Sequence, residues 1–237
     1  MLKDAEPVTG LAAPGVRGWT TTVINGSFGL GSDEPVGRVM DRWTELQSDL
    51  SSLGAHRLAS AHQVHGNVVS HHAPGWNGWL RQRGVDGHVT NVVGTALAVT
   101  VADCTPVFIA HPLGIAMLHA GWRGTAGHIL RHGLEAMLGF GVVADECDVH
   151  LGPSICAACY EVGPEVITAV TGLPAIGKGH LDVRAILAEQ AYALGVRDID
   201  VSEWCTRCGG GKFFSHRAGD AGRQLGVMAY FGGRIAK

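Results

Sequence analysis

At 237 residues, 46% hydrophobic and 16% charged, the chain carries enough apolar material for a substantial core and reads most simply as one large globular domain. Its 18 Lys and Arg are scattered among 21 Asp and Glu, a formal charge of −3 that excludes the basic footprint of a nucleic-acid or membrane-surface binder. The N-terminus, MLKDAEPVTGLAAPGVRG, has acids and prolines where a signal peptide needs an apolar stretch, and no later run reaches the ~18 apolar residues of a membrane helix, so the expected compartment is the cytoplasm.

Residues 1–18 read as a flexible lead-in and 19–237 as a single catalytic domain. Short apolar runs bounded by Gly, Pro or Asp predict strands at 68–70, 96–102, 107–111, 114–119, 148–151 and 225–231. Only Pro112 and Leu113 separate the third and fourth of these, which points to an antiparallel hairpin. A helix is predicted over 125–138, where Ile129, Leu130, Gly133, Leu134, Met137 and Leu138 form one stripe and Thr125 stands as N-cap. Residues 171–179 form a Gly/Pro-rich connection, and a second helix over 183–194 aligns Val183, Ile186, Leu187, Ala191 and Leu194. Strands and helices in this arrangement give a mixed sheet and the α+β class.

The most chemically informative residues sit in three segments: His65 in HQVHG (62–66), Cys104 in ADCTPV (102–107) and His119 in HAGWRG (119–124). Two imidazoles and a thiolate suit a divalent metal, and three protein ligands leave a fourth position open for water or substrate. Cys104 follows one predicted strand and His119 closes another, so both stand at strand ends. Four of the six cysteines form two pairs, Cys156-Ala-Ala-Cys159 and Cys205-Thr-Arg-Cys208. They invite a second, four-thiolate zinc site, but the 46 positions between Cys159 and Cys205 exceed the ~15–20 of a compact zinc ribbon, so free, partly buried thiols are the expectation unless folding brings the pairs together.

Taken in order, HQVHG, DGHVTN (86–91), ADCTPV, HAGWRGTAG, GPSI followed by YEVG (152–163), Cys205-Thr206, FFSHR (213–217) and GRQLG (222–226) resemble the YfiH-type laccase-domain family. That family is also described as multicopper polyphenol oxidase or purine nucleoside phosphorylase. The resemblance covers about residues 55–231. It implies a layered α/β/β/α sandwich with mixed β-sheets, bound zinc (copper being possible), and His65, Cys104 and His119 as ligands. It also implies small-molecule substrates, a purine nucleoside and phosphate: phosphorolysis of adenosine, inosine and guanosine, deamination of adenosine and cleavage of methylthioadenosine. Some bacterial members are described as peptidoglycan editing factors. The N-terminal fifth departs from the pattern: GWTTTVINGSFGLGSDEP (18–35) lacks the family's arginine and has Gly29 in place of an asparagine, while Ala218 replaces a second arginine after FFSHR. Either specificity has drifted, or Arg217 and Arg223 carry the anion contacts alone.

For such chemistry, Asp103 reads either as a proton shuttle for leaving ammonia or a purine nitrogen, or as an acceptor of loop hydrogen bonds. The turn 121–124, opening a helix at Thr125, offers N–H groups and the Arg123 guanidinium to phosphate, although Arg123 could equally pair with a surface carboxylate. Gln63 is a candidate for a base edge or for bracing a loop. Ser215 and Arg217 are candidates to line the pocket, and Trp122 to stack on a purine or fill the core. His62 is an extra ligand or an ordinary histidine, and His71, His72, His128 and His132 read as surface residues. Two further chemistries stay open: copper oxidation of phenols, against which stands the lack of any His-x-His, and a cysteine hydrolase with Cys104 as nucleophile and His119 as base.

Overall fold

The computed structural model describes residues 2–232. The first half of the chain gives β1 (Glu6–Val8), β2 (Val16–Thr20), α1 (Val36–Ser52), β3 (Arg57–His62), β4 (Val69–His71), β5 (Gly78–Arg83) and β6 (Gly87–Thr90). At the centre lie β7 (Thr95–Val101), β8 (Thr105–His111), β9 (Gly114–Ala120), α2 (Trp122–Ala126) and α3 (Ile129–Leu138). The remainder is β10 (Asp148–Leu151), β11 (Glu161–Val162), α4 (Pro164–Thr171), β12 (Gly179–His180), α5 (Val183–Ala193), β13 (Asp198–Val201) and β14 (Gln224–Tyr230). Two six-stranded sheets result, ordered β1-β2-β14-β7-β3-β5 and β13-β10-β8-β9-β6-β4, with β11 and β12 as a small separate pair. Both are mixed: β3 runs parallel to β5 and β7, β10 to β13 and β4 to β6, while the other pairings are antiparallel.

Alternation along the central strands builds the layers. In β7 and β14, Ala96, Ala98, Leu225, Val227 and Ala229 face α1, where Val39, Trp43, Leu46 and Leu50 are buried, while Leu97, Val99 and Met228 face the other sheet. Opposite them, Phe108, Ala110, Ile115 and Met117 fill the space between the sheets, and Val107, Ile109, Ala116 and Leu118 meet α3, α4 and α5. Burial on both faces explains why these strands read as unbroken apolar runs. The result is an α/β/β/α sandwich, as the resemblance implied. The β8–β9 hairpin closes as expected, with His111 opposite Gly114. No helix among the described residues is long and apolar enough to cross a membrane.

Three expectations need correction. The stretch expected as a lead-in is ordered from Leu2 onward: Leu2 N–H donates to Asp49 on α1, and β1 and β2 join the first sheet, β2 pairing with β14. Residues 1 and 233–237 lie outside the described part of the chain. The helix predicted over 125–138 is two helices, broken where His128 adopts φ 56° after Gly127. Thr125 is therefore no cap; it lies inside α2, and its hydroxyl donates to the carbonyl of Gly121 (2.9 Å). The break serves the site, because Asn67 Nδ2 donates to the exposed carbonyl of Gly127 (2.7 Å) and ties the 63–67 loop to the helix layer. Finally, α1 is absent from the predicted elements, although Val36, Val39, Trp43, Leu46 and Leu50 recur at helical spacing.

Candidate active site

The three segments singled out in the sequence meet at one end of the sandwich. His65 lies in the loop after β3, Cys104 between β7 and β8, and His119 near the end of β9, on the same face of that strand as Ile115 and Met117. One ligand atom from each falls within 4.8 Å of the others, and the two imidazoles meet edge to face at 4.8 Å between ring centres. His119 is buried, Cys104 half-buried and His65 exposed, so the cluster opens to solvent on one side. Gly121 makes room for it, since a Cβ there would stand 2.8 Å from Cys104 Sγ.

Behind the ligands lies Asp86, fully buried at the start of β6. Its carboxylate accepts from His119 Nδ1 (2.8 Å) and from the N–H groups of Val64 (3.2 Å), His65 (2.9 Å) and Gly66 (2.7 Å). One acid thus fixes the tautomer of one ligand and the backbone of another, and His65 is held at φ 60°, a conformation unusual for a residue with a Cβ. Burial alone would raise the pKa of Asp86, but its hydrogen bonds to His119 and the loop bring it down to about 2. Burial would also raise that of Cys104; the charge of His119 and hydrogen bonds from both imidazoles lower it instead to about 6. His119 moves the opposite way, to about 9, because the Cys104 and Asp86 charges outweigh its desolvation. A thiolate, two imidazoles, one of which (His119) has its far nitrogen anchored by Asp86, and an accessible fourth side fit a catalytic zinc ion in donor type and number.

The cluster lies at the base of a cleft of about 560 Å³, within the range of small-ligand sites. Asp103 lines it at φ 83°, with Oδ1 accepting from the Thr206 hydroxyl (2.6 Å) and Oδ2 from the Arg217 N–H (2.7 Å). Arg123 and Arg217 both line it, the former 4.2 Å over the Trp122 ring and the latter 5.1 Å over Tyr160. Arg81 and Arg223 add two further guanidinium groups to the lining. Gly29 matters here, because a Cβ in its place would come within 2.9 Å of the Arg223 stem, so the position where the resemblance implied an asparagine leaves room for that arginine.

Other expected residues fall differently. Gln63 reaches the cleft wall, yet its amide is engaged with Thr100, donating to the carbonyl (2.8 Å) and accepting from the N–H (2.7 Å) and hydroxyl (2.9 Å), so it braces β3 against β7. Ser215 is buried and caps the 3-10 turn His216–Ala218 by accepting from the Ala218 N–H (3.2 Å); it does not line the cleft. The turn expected to bind phosphate opens α2 at Trp122, not at Thr125, and that helix has only five residues. His62 lines the cleft and is exposed, and His71 and His128 are exposed as expected. His72 is not: it is buried against His88, 2.9 Å between ring nitrogens. Trp122 packs against the helix-side core and also lines the cleft.

Sequence reasoning assigned no role to Asp86, Thr206 or Tyr160. The only signal for Asp86 was its place at the head of the DGHVTN motif. The cysteine pairs also depart from expectation, since Cys156, Cys159, Cys205 and Cys208 bring their sulfur atoms within 4.8 Å of one another.

Comparison with known proteins agrees with this architecture. A family model described as multi-copper polyphenol oxidoreductase laccase matches residues 17–231. The chain is similar to adenosine deaminase RL5 of an unknown prokaryotic organism, 38% identical over 149 residues, a match that spans 56% of this chain and 57% of that protein. It is similar over a longer span to purine nucleoside phosphorylase SCO2081 of Streptomyces coelicolor, 33% identical across 84% of this chain and 85% of the relative. Among solved structures, the crystal structure of YlmD from Geobacillus stearothermophilus superposes with a TM-score of 0.84 at 28% identity, covering 94% of each chain.

Proposed function

This chain belongs to the multi-copper polyphenol oxidoreductase laccase family, and from that premise we propose that it is a zinc-dependent purine nucleoside phosphorylase that also deaminates adenosine. Its substrates are adenosine, inosine, guanosine and methylthioadenosine, taken with phosphate, and it works in the cytoplasm. The convergence of His65, Cys104 and His119 on one point, with Asp86 holding His119 from behind, carries the reading. The names of the similar proteins supply the substrate class. A zinc ion held by these three residues supplies Lewis acidity and a water activated near neutral pH.

The protein's own groups do the rest. Phosphorolysis breaks the bond between the purine nitrogen and the sugar carbon, joins that carbon to a phosphate oxygen and leaves the purine to gain a proton. Deamination adds water at the carbon bearing the amine and releases ammonia. Asp103 lines the cleft beside Cys104, and although both its oxygens already accept a hydrogen bond, each keeps a lone pair with which to take up a proton from water or phosphate before passing it to the purine or the leaving ammonia. Arg123 and Arg217 supply planar, always-charged donors for phosphate, each presented on an aromatic ring that limits its side-chain freedom. Trp122, packed against the helix-side core and covered by Arg123, serves as the platform for that guanidinium and not as a stacking surface for a purine. Gln63 and Ser215 act as braces, as their hydrogen bonds indicate.

A second reading draws on the same atoms, because Cys104, His119 and Asp86 also form a thiol, imidazole and carboxylate series of the kind a cysteine hydrolase uses. His65 favours the metal, since a hydrolase has no need of a second imidazole on the sulfur. One sulfur and two imidazoles would also suit a single copper ion, so what disfavours copper oxidation of phenols is the lack of any His-x-His in the sequence to hold a multicopper cluster beside it. Incubating zinc-analysed protein with a nucleoside panel, with and without phosphate, and identifying products by mass tests the proposal. Phosphate-dependent release of free purine, together with inosine formed from adenosine, is expected from the native protein and neither from Cys104→Ala. Turnover by that variant, or by zinc-free protein whose Cys104 alkylates rapidly, would overturn it.

A further inference from the structure

Parallel pairing does what the 46-residue interval appeared to forbid. β10 and β13 lie side by side in one sheet and run the same way, so the chain leaves both at the same edge. A parallel pair needs a crossover between its strands, and α4 and α5 occupy it; the interval measures that connection and not the distance between the cysteines. Beyond the strands the two segments stay together through a parallel bridge between Ser154 and Cys205 and a hydrogen bond from Thr206 N–H to the Ser154 carbonyl (3.1 Å). Each segment then turns over a Cys-x-x-Cys.

From this juxtaposition we propose that Cys156, Cys159, Cys205 and Cys208 form a second metal site, a four-thiolate zinc centre separate from the catalytic cluster. All four sulfur atoms lie within 4.8 Å of one another, and Cys156 and Cys208, 52 residues apart, approach to 3.9 Å. No histidine or carboxylate belongs to the group. The backbone is arranged as thiolate ligands require: the N–H groups of Cys156 (3.3 Å) and Cys208 (3.4 Å) both donate to Cys205 Sγ, which stabilises negative charge on a buried sulfur. Four sulfur donors at mutual contact are a closed tetrahedral set, with no place for water, and so structural in kind. Binding releases each thiol proton to solvent and involves no oxidation.

The site lies directly behind the catalytic cleft. Cys159 precedes Tyr160, which lines the cleft, and Cys205 precedes Thr206, whose hydroxyl holds the Asp103 carboxylate. Arg207 adds a link across the site, from Nη1 to the Cys159 carbonyl (3.2 Å). A zinc ion there fastens the two loops that position Tyr160 and Asp103.

The proposal is independent of the nucleoside reading and is tested without activity. Metal analysis of the native protein should give two zinc ions per chain, and Cys104→Ala and Cys208→Ser one each. Cobalt substitution of Cys104→Ala should give intense sulfur-to-cobalt charge-transfer absorption, since four thiolates remain on the metal in the absence of the catalytic one. Thiol titration of the native, zinc-loaded chain should find these four cysteines protected and a chelator should expose them. It should also lower the melting temperature by at least about 5 °C, as loss of a long-loop cross-link would in a chain of this size. One zinc per native chain together with freely reacting thiols at these positions would overturn the proposal, as would a disulfide among the four in protein purified under reducing conditions. Both measurements use the native chain, so a Cys208→Ser variant that failed to fold would not shield the proposal.

Discussion

Replacing Asp86 with Asn keeps the volume of a fully buried side chain and removes its charge. The carboxylate accepts four hydrogen bonds, from His119 and His65 on one oxygen and from Val64 and Gly66 on the other. An Asn amide has a single acceptor oxygen, so its NH2 group must confront one of these two donor pairs. Turned toward His119, it obliges Nδ1 to accept, which moves the ring proton to the other nitrogen, the one turned to Cys104, and removes a metal donor. Turned the other way, it opposes two N–H groups of the loop that presents His65. Hydrogen bonds to a buried charge are worth about 1.5–3 kcal/mol each. Loss of a partner behind a metal ligand costs about 10–100-fold in affinity, equivalent to about 1.4–2.7 kcal/mol. Two contacts fail in either orientation, so the upper end applies and Asp86→Asn should bind zinc about 100-fold more weakly. With a pKa lowered from 3.8 to about 2, Asp86 is charged throughout the working range; the stability it contributes is present above 3.8 and lost only as pH falls toward 2. Competition against a chromophoric chelator measures the affinity, with near-UV circular dichroism as the check on folding. A folded variant whose zinc affinity stays within about threefold of the native value would refute this account of how the site is held.

Two further predictions rest on single groups. Arg123→Ala should lower the apparent affinity for phosphate by about tenfold or more while changing adenosine deamination far less, because a guanidinium–phosphate contact is lost and the metal ligands are untouched; steady-state kinetics of both reactions would show it, and equal losses would place Arg123 on the purine or in the scaffold. Burial holds His72 and His88 near pKa values of about 4 and about 3, so the unfolded chain binds more protons below 6.5. The stability they allow is complete above that pH and falls by about 1.4 kcal/mol per pH unit for each ring that stays neutral. Denaturant midpoints should therefore drop between pH 6.5 and 4, less steeply in a His72→Gln/His88→Gln variant; an unchanged slope would locate the protons elsewhere.

Periodicity and local chemistry were enough for the central strands, the β8–β9 hairpin, the α+β class and the three metal-ligand candidates, because doubly buried strands write themselves as apolar runs and ligand residues occupy short, distinctive segments. The motif order carried the layered fold as well. Other features were invisible because they depend on partners far away in the chain. Asp86 is one acid among 21 Asp and Glu until folding puts it under His119. Gln63 stood between a base edge and a brace, and Ser215 among the pocket candidates, until Thr100 and the Ala218 N–H were seen to engage them. The break at His128 arises where Asn67 docks on Gly127, a contact that helical periodicity does not encode. Strand direction decided the cysteines: sequence separation treats the two pairs as remote, whereas parallel pairing of β10 with β13 returns the chain to the same edge and sets four sulfur atoms together. Local sequence thus determined which groups could do chemistry, and long-range pairing decided which of them meet.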